Sequence, residues 1–183
     1  AYEIPLRLVG SEMCIRDSDN SVLIVEGIHG LNERISAVVP ARNKLKVYIS
    51  ALTPMSLDDY NRIQTTDMRL LRRLVRDSQF RSHDALMTLK LWDDVRRGEE
   101  KYIFPFQEEA DIIFNTTLVY EFAVLKKYAE PLLQGVPETE AVYTNAQRLL
   151  GLLSHVTPLD KELIPKNSIL REFVGGSAFK EAL

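Results

Sequence analysis

The chain has 183 residues, 45% of them hydrophobic and 27% charged, with a net charge of −3. Those values describe one soluble globular domain, or one domain with an appendage, and the mildly acidic balance argues against broad nucleic-acid binding. The single cysteine, Cys14, excludes an intramolecular disulfide, no apolar run reaches the about 20 residues of a membrane span, and a cytoplasmic location is the default reading.

Residues 7–18, RLVGSEMCIRDS, show neither helical nor strand periodicity. The string resembles the conceptual translation of a sequencing-library adapter, so residues 1–18 are read as an artefactual or non-native segment and set aside from fold reasoning. The natural sequence is then expected to start inside a longer protein. From Ser21 to Val25 the chain becomes a short apolar, β-branched run followed by Glu26 and Gly27. Such a run suits a buried parallel strand with an acid at its carboxyl edge. Ligands bind beyond that edge in doubly wound sheets. Glu26 is therefore a candidate to orient a hydroxyl or to hold magnesium through water, and His29 stands three residues further on.

Leu31–Ser36 reads as a short helix or turn, and Asn43–Ser50 as a second strand with Leu45, Val47 and Ile49 inward. Ser56-Leu57-Asp58-Asp59 has the composition of a capped helix start. Next comes RLLRRLVR, residues 69–76. At about 100° per residue, Arg69, Arg72, Arg73 and Arg76 share one arc of a helix expected from about Thr66 to Arg76, with Leu70, Leu71, Leu74 and Val75 opposite. The octet contains no acid; Asp67 and Asp77 stand at its ends. A solvated basic face is the ordinary explanation. The exclusive use of arginine, whose planar fork grips phosphate or carboxylate oxygens in pairs, favours an anion clamp instead. Asp77–Asp84 reads as a polar loop in which Arg81 and His83 extend the positive potential and Asp77 can pin Arg73 or Arg81.

Ala85–Arg97 returns to helical spacing and Gly98 is expected to stop it. Tyr102, Phe104 and Phe106 alternate and read as a half-buried segment rather than a base-stacking platform. Asp111–Asn115 is a third strand. Tyr120–Gln134, with Phe122, Leu125, Tyr128 and Leu132 as core candidates, and Val142–Leu153 are amphipathic helices. Gly175-Gly176 reads as a turn. Strands alternating with helices give an α/β domain with a parallel sheet. An acid at a strand edge facing an arginine-rich mobile segment is what phosphoryl transfer requires, because negative charge spreads over the group in flight.

VLIVEGIHGLN, KVYIS, RLLRRLVRDSQFR and EEADIIFNTTLVYEFAVLK occur in that order. Together they resemble the uridine kinase and phosphoribulokinase family of P-loop kinases, in particular its bacterial uridine-kinase-related nucleoside kinase branch. The resemblance runs from about Asp19 to the C-terminus. It implies a P-loop NTPase-like parallel sheet flanked by helices, incomplete at the N-terminus, with residues 19–183 as the C-terminal part of a nucleoside kinase domain. It further implies ATP and Mg²⁺ as cofactors and transfer of the γ-phosphate to a nucleoside 5′-hydroxyl. Glu26 would match the acid of the Walker-B-like strand. Arg72, Arg73 and Arg76 would match the lid helix and Arg81 the loop after it, with Arg73 also reaching the acceptor. Arg69, His29 and His83 complete the phosphate- and substrate-facing set.

The family's G-x-x-x-x-G-K-[ST] loop is nowhere in the 183 residues, and neither is the acid expected to take the acceptor proton. His83 stands where uridine kinases carry a further lid arginine, and Leu91 where they place a pyrimidine-contacting glutamine. The chain as written is therefore expected neither to bind ATP tightly nor to turn over. A noncatalytic anion-binding or regulatory module on the same fold is the alternative, RNA docking on the arginine stripe is disfavoured by the acidic balance, and a homo-oligomer stays open.

Overall fold

The computed structural model describes residues 22–179, so the adapter-like string and Cys14 lie outside the described residues. Strand β1 (Val47–Ser50) and strand β2 (Ile112–Asn115) pair in parallel, Val47 opposite Ile112 and Ser50 opposite Asn115. Side chains extend this short ladder at both ends. The Lys46 N–H donates to Asp111 Oδ2 at 2.8 Å; Asn115 accepts from the Leu52 N–H and donates to the Leu52 carbonyl, both at 2.9 Å. A parallel pair needs a long crossover, and here two helices make it, α2 (Thr65–Phe80) and α3 (Ala85–Tyr102). A short helix α1 (Glu33–Ser36) precedes the sheet; α4 (Glu121–Gln134), α5 (Tyr143–Ser154) and a single turn α6 (Arg171–Val174) follow it.

The core lies among the helices. Leu70, Leu71, Leu74 and Val75, the apolar arc of α2, are all essentially inaccessible. They meet Phe122, Leu125 and Leu133 of α4, Leu149 and Leu153 of α5, and Leu170 and Phe173 at α6. Tyr128 and Leu132 pack only partly against this cluster. Asp67, at the start of α2, is held by both terminal nitrogens of Arg148 at 2.7 Å, which ties α2 to α5. Among the described residues no helix is long and apolar enough to cross a membrane.

Five local expectations need correction. On β1 it is Tyr48 that is buried, whereas Leu45, Val47 and Ile49, expected inward, are exposed. Residues 22–26 have no regular structure and are exposed, Val22 at 89% and Ile24 at 86%. No described strand lies alongside to accept their backbone groups, and a strand exists only through pairing. Ser56–Asp59 does not start a helix. Asp58 instead accepts the N–H groups of Tyr60 and Asn61 and the Asn61 amide, closing a turn whose ends bridge Ser56 to Arg62. Helix α2 runs on through Phe80, so the polar loop shortens to residues 81–84. Gly98 lies inside α3 rather than ending it; the Glu99 side chain, buried beside it, is bonded to Arg69, and tertiary contacts outweigh the roughly 1 kcal/mol that glycine costs a helix.

Candidate functional site

The arginines of α2 divide into two groups by their partners. Arg69 grips Glu99 of α3 with both terminal nitrogens, one contact at 2.8 Å, and its guanidinium stands 5.9 Å from the Phe104 ring. Arg72 is 8% exposed and fully engaged. Its Nε and NH2 donate to the two carboxylate oxygens of Glu121 at 2.9 and 2.6 Å, and NH1 and NH2 donate to the hydroxyl and carbonyl of Thr116. The ring of Phe173 lies 5.3 Å from the Arg72 guanidinium. Glu121 is wholly buried and also accepts the Leu118 N–H at 2.9 Å. This pair joins α2 to the start of α4 and leaves Arg72 no free edge.

The second group converges on Asp77. Arg73 Nε stands 3.1 Å from Asp77 Oδ2 as a charge contact out of hydrogen-bond alignment, Arg76 donates from Nε to Oδ1 at 3.2 Å, and Arg81 NH1 stands 3.4 Å from Oδ1. Asp77 itself is fully buried. Its backbone carbonyl accepts the N–H groups of Arg81 and His83, both at 3.1 Å, and so ends the helix. Ser82, between them, takes φ +54°, the left-handed conformation that turns the chain out of α2. The His83 side chain has its Nδ1 shielded without a partner among the described residues.

Glu26 and His29 sit elsewhere. Glu26 is exposed in irregular chain, and His29 meets the Tyr102 ring edge-on, centroids 6.0 Å apart. Among the described residues neither makes an ion pair or hydrogen bond with the arginines. No group of three or more His, Cys, Asp or Glu side chains gathers there that could hold a metal. A lone exposed carboxylate does not make a magnesium site, so the described residues do not fit that ion. The Asp77 corner does fit an anion, because three guanidinium groups against one carboxylate leave two positive charges on side chains that still reach solvent.

Of the residues singled out in the sequence, the structure thus assembles Arg73, Arg76, Arg81 and His83 at the end of α2, and turns Arg69 and Arg72 inward. The octet's lack of acids did not leave its arginines unpartnered. Glu99 lies 30 residues away and Glu121 lies 49, beyond what i±4 spacing can show; the Arg73–Asp77 and Asp77–Arg81 pairs, both at i,i+4, had a local signal.

The phosphoribulokinase / uridine kinase family model matches residues 11–121, which include Glu26, His29, the whole of α2 and the Asp77 corner. Comparison with curated proteins and with solved structures gives no significant match. With the parallel β1–β2 pair crossed over by α2 and α3 and a family model covering well over half of its length, the chain belongs to the phosphoribulokinase / uridine kinase family, a family of P-loop kinases.

Proposed function

We propose that this chain supplies the lid arm of an ATP-dependent nucleoside kinase, in which Arg73, Arg76 and Arg81 close on the donor phosphates during transfer to a nucleoside 5′-hydroxyl. The observation that carries the reading is the corner at Asp77, where three partly exposed guanidinium groups share one buried carboxylate. Its excess positive charge matches the charge that spreads over a phosphoryl group in flight, and guanidinium groups stabilise that charge best when held before the reaction begins. A helix that swings over the phosphates also excludes water. Arg72 and Arg69 serve in this reading as the internal ties that keep α2 rigid. Glu26 and His29 keep only the places that the family resemblance gives them, the acid of the Walker-B-like segment and a ligand contact beside it.

Since no phosphate-cradling glycine loop occurs in the 183 residues, the working site takes that loop from sequence outside them. The test joins residues 19–183 behind the phosphate-loop segment of a uridine kinase and assays ATP-dependent phosphorylation of a nucleoside panel. The expected result is phosphate transfer to at least one nucleoside, with no turnover from the 183 residues alone. A folded, ATP-binding chimera that phosphorylates no nucleoside, and whose ATP binding ignores Arg73→Ala, favours the noncatalytic anion-binding module instead.

A further inference from the structure

Asp77 occupies a position that local physics disfavours twice. It lies in the last turn of α2, which contains no basic residue, so its charge opposes the negative end of the helix dipole. Its carboxylate is also removed from water, at a cost that only close cations and hydrogen bonds offset. A residue that stabilised the helix alone would be neutral or basic here. Such violations of local preference concentrate where function imposes them.

We infer that Asp77 is the positioning residue of the lid: it holds Arg73, Arg76 and Arg81 in one fixed fan so that their remaining N–H groups meet a phosphoryl group together. The inference rests on the phosphate-facing reading given above and deepens it. The side chains of Arg73 and Arg76 are 23% and 29% exposed, against 52% for Arg81. On one edge Arg76 is anchored to Asp77 by hydrogen bonds and Arg73 by charge alone, and both are open on the other. Arg73 and Arg76 approach through Nε, and for Arg73 both terminal nitrogens are thereby left for a ligand. Arg76 also lends NH2 to Oδ1 at 3.3 Å, while Arg81 uses NH1 and keeps NH2. The same aspartate anchors the backbone, because its carbonyl receives the Arg81 and His83 N–H groups. Side-chain fan and helix end are therefore fixed by one residue. With two positive charges in excess, the fan fits a doubly charged phosphate group rather than a single carboxylate.

Charge and position make opposite demands on Asp77→Asn, and that opposition provides the test. The substitution keeps the shape and adds one formal positive charge. If charge alone governs binding, the variant binds inorganic tripolyphosphate more tightly than the wild-type 183-residue chain. If Asp77 positions the arginines, calorimetric titration shows tripolyphosphate affinity falling by about tenfold to a hundredfold, the range expected when binding groups move by an ångström or so, and Asp77→Glu recovers part of the loss. Equal or tighter binding by a folded Asp77→Asn overturns the inference.

A measurement on the unaltered chain keeps the question decidable if the variant does not fold. Solvent exchange of the arginine Nε protons, followed by NMR, is expected to be at least about tenfold slower for Arg73 and Arg76 than for Arg96 and Arg97, whose pairs with Glu100 and Asp94 use NH2. Equal exchange rates overturn the fan. Wild-type protein that fails to bind tripolyphosphate while its Arg73 and Arg76 Nε protons stay protected removes the phosphate-facing reading, and with it the ligand assigned to the fan, but leaves Asp77 as the residue that orders these arginines.

Discussion

Arg72 and Arg76 are one helical turn apart, yet their side chains answer to different requirements. Arg72 is locked to a wholly buried Glu121 by two hydrogen bonds and to Thr116 by two more. Removing one member of such a pair leaves the other charge buried and alone. Arg72→Ala is expected to cost about 3–5 kcal/mol of stability in urea denaturation, whereas Arg76→Ala, at the open corner, is expected to cost no more than about 1 kcal/mol. Equal costs would mean that Arg72 is not the internal tie described above. The sequence displayed all four arginines as one face of a helix. It could not sort them, because the sorting residues Glu99, Thr116 and Glu121 reach α2 only through the tertiary fold. Asp77 was legible as a partner, but its complete burial was not.

At the scale of elements, the sequence read helices α2, α4 and α5 to within a few residues because each carries a strong period. It placed both paired strands from their apolar runs but took the wrong face of β1 as inward, since Tyr48 is the buried residue. It failed where polar composition and helical structure coincide. Residues 77–80 look like loop, but the helix continues through them because Asp77 is buried and paired. Ser82 then pays for the exit from α2 with a left-handed backbone that costs an L-residue about 1–2 kcal/mol. Ser82→Gly is expected to leave the thermal midpoint unchanged or raise it, since relief of strain and the greater unfolded-state freedom of glycine oppose each other; Ser82→Val is expected to lower it clearly. A Val variant as stable as the parent would show that the turn is not held left-handed.

Helix α1 gives a pH-dependent case. Glu33 accepts from Lys44 and also pairs with Lys46 at 2.8 Å. The hydrogen bonds from Lys44 and then Lys46 hold its carboxyl down to about 2, from an ordinary 4.5. A carboxylate depressed in the folded state contributes stability above its unfolded pKa and loses it as pH falls through the folded value. The tie between α1 and the lysines ahead of β1 is therefore expected to be intact above pH 4.5 and to dissolve toward pH 2. A carboxyl-carbon NMR titration of Glu33 with its midpoint near 4.5 would show that the tie does not form.

For the whole molecule, the helices enclose a core while the sheet stays open. Parallel sheets in α/β proteins are covered on both faces, yet Ile49, Ile113 and Phe114 are 62%, 51% and 58% exposed. The apolar run at 22–25 lies exposed as well. It reads as a strand because its composition is that of a buried strand, and it is not one because pairing, which composition cannot supply, is missing among the described residues. Such a surface is expected to bind hydrophobic dyes and to promote association. Phe114→Lys is expected to reduce both in dye-fluorescence and sedimentation measurements without lowering the stability of the helical core, and no change in either would mean that this surface is not open in solution.

If Arg73, Arg76 and Arg81 form the lid arm, the fan at Asp77 acts on the transferring phosphate. The most direct measurement is the single-turnover rate of phosphate transfer from ATP to a nucleoside, in residues 19–183 joined to a family phosphate-loop segment, with and without Arg73→Ala and Arg76→Ala. Each substitution is expected to slow the chemical step by about a thousandfold or more, the scale of a transition-state arginine, while the helical circular dichroism stays unchanged. Transfer at the parental rate in both folded variants would contradict the account.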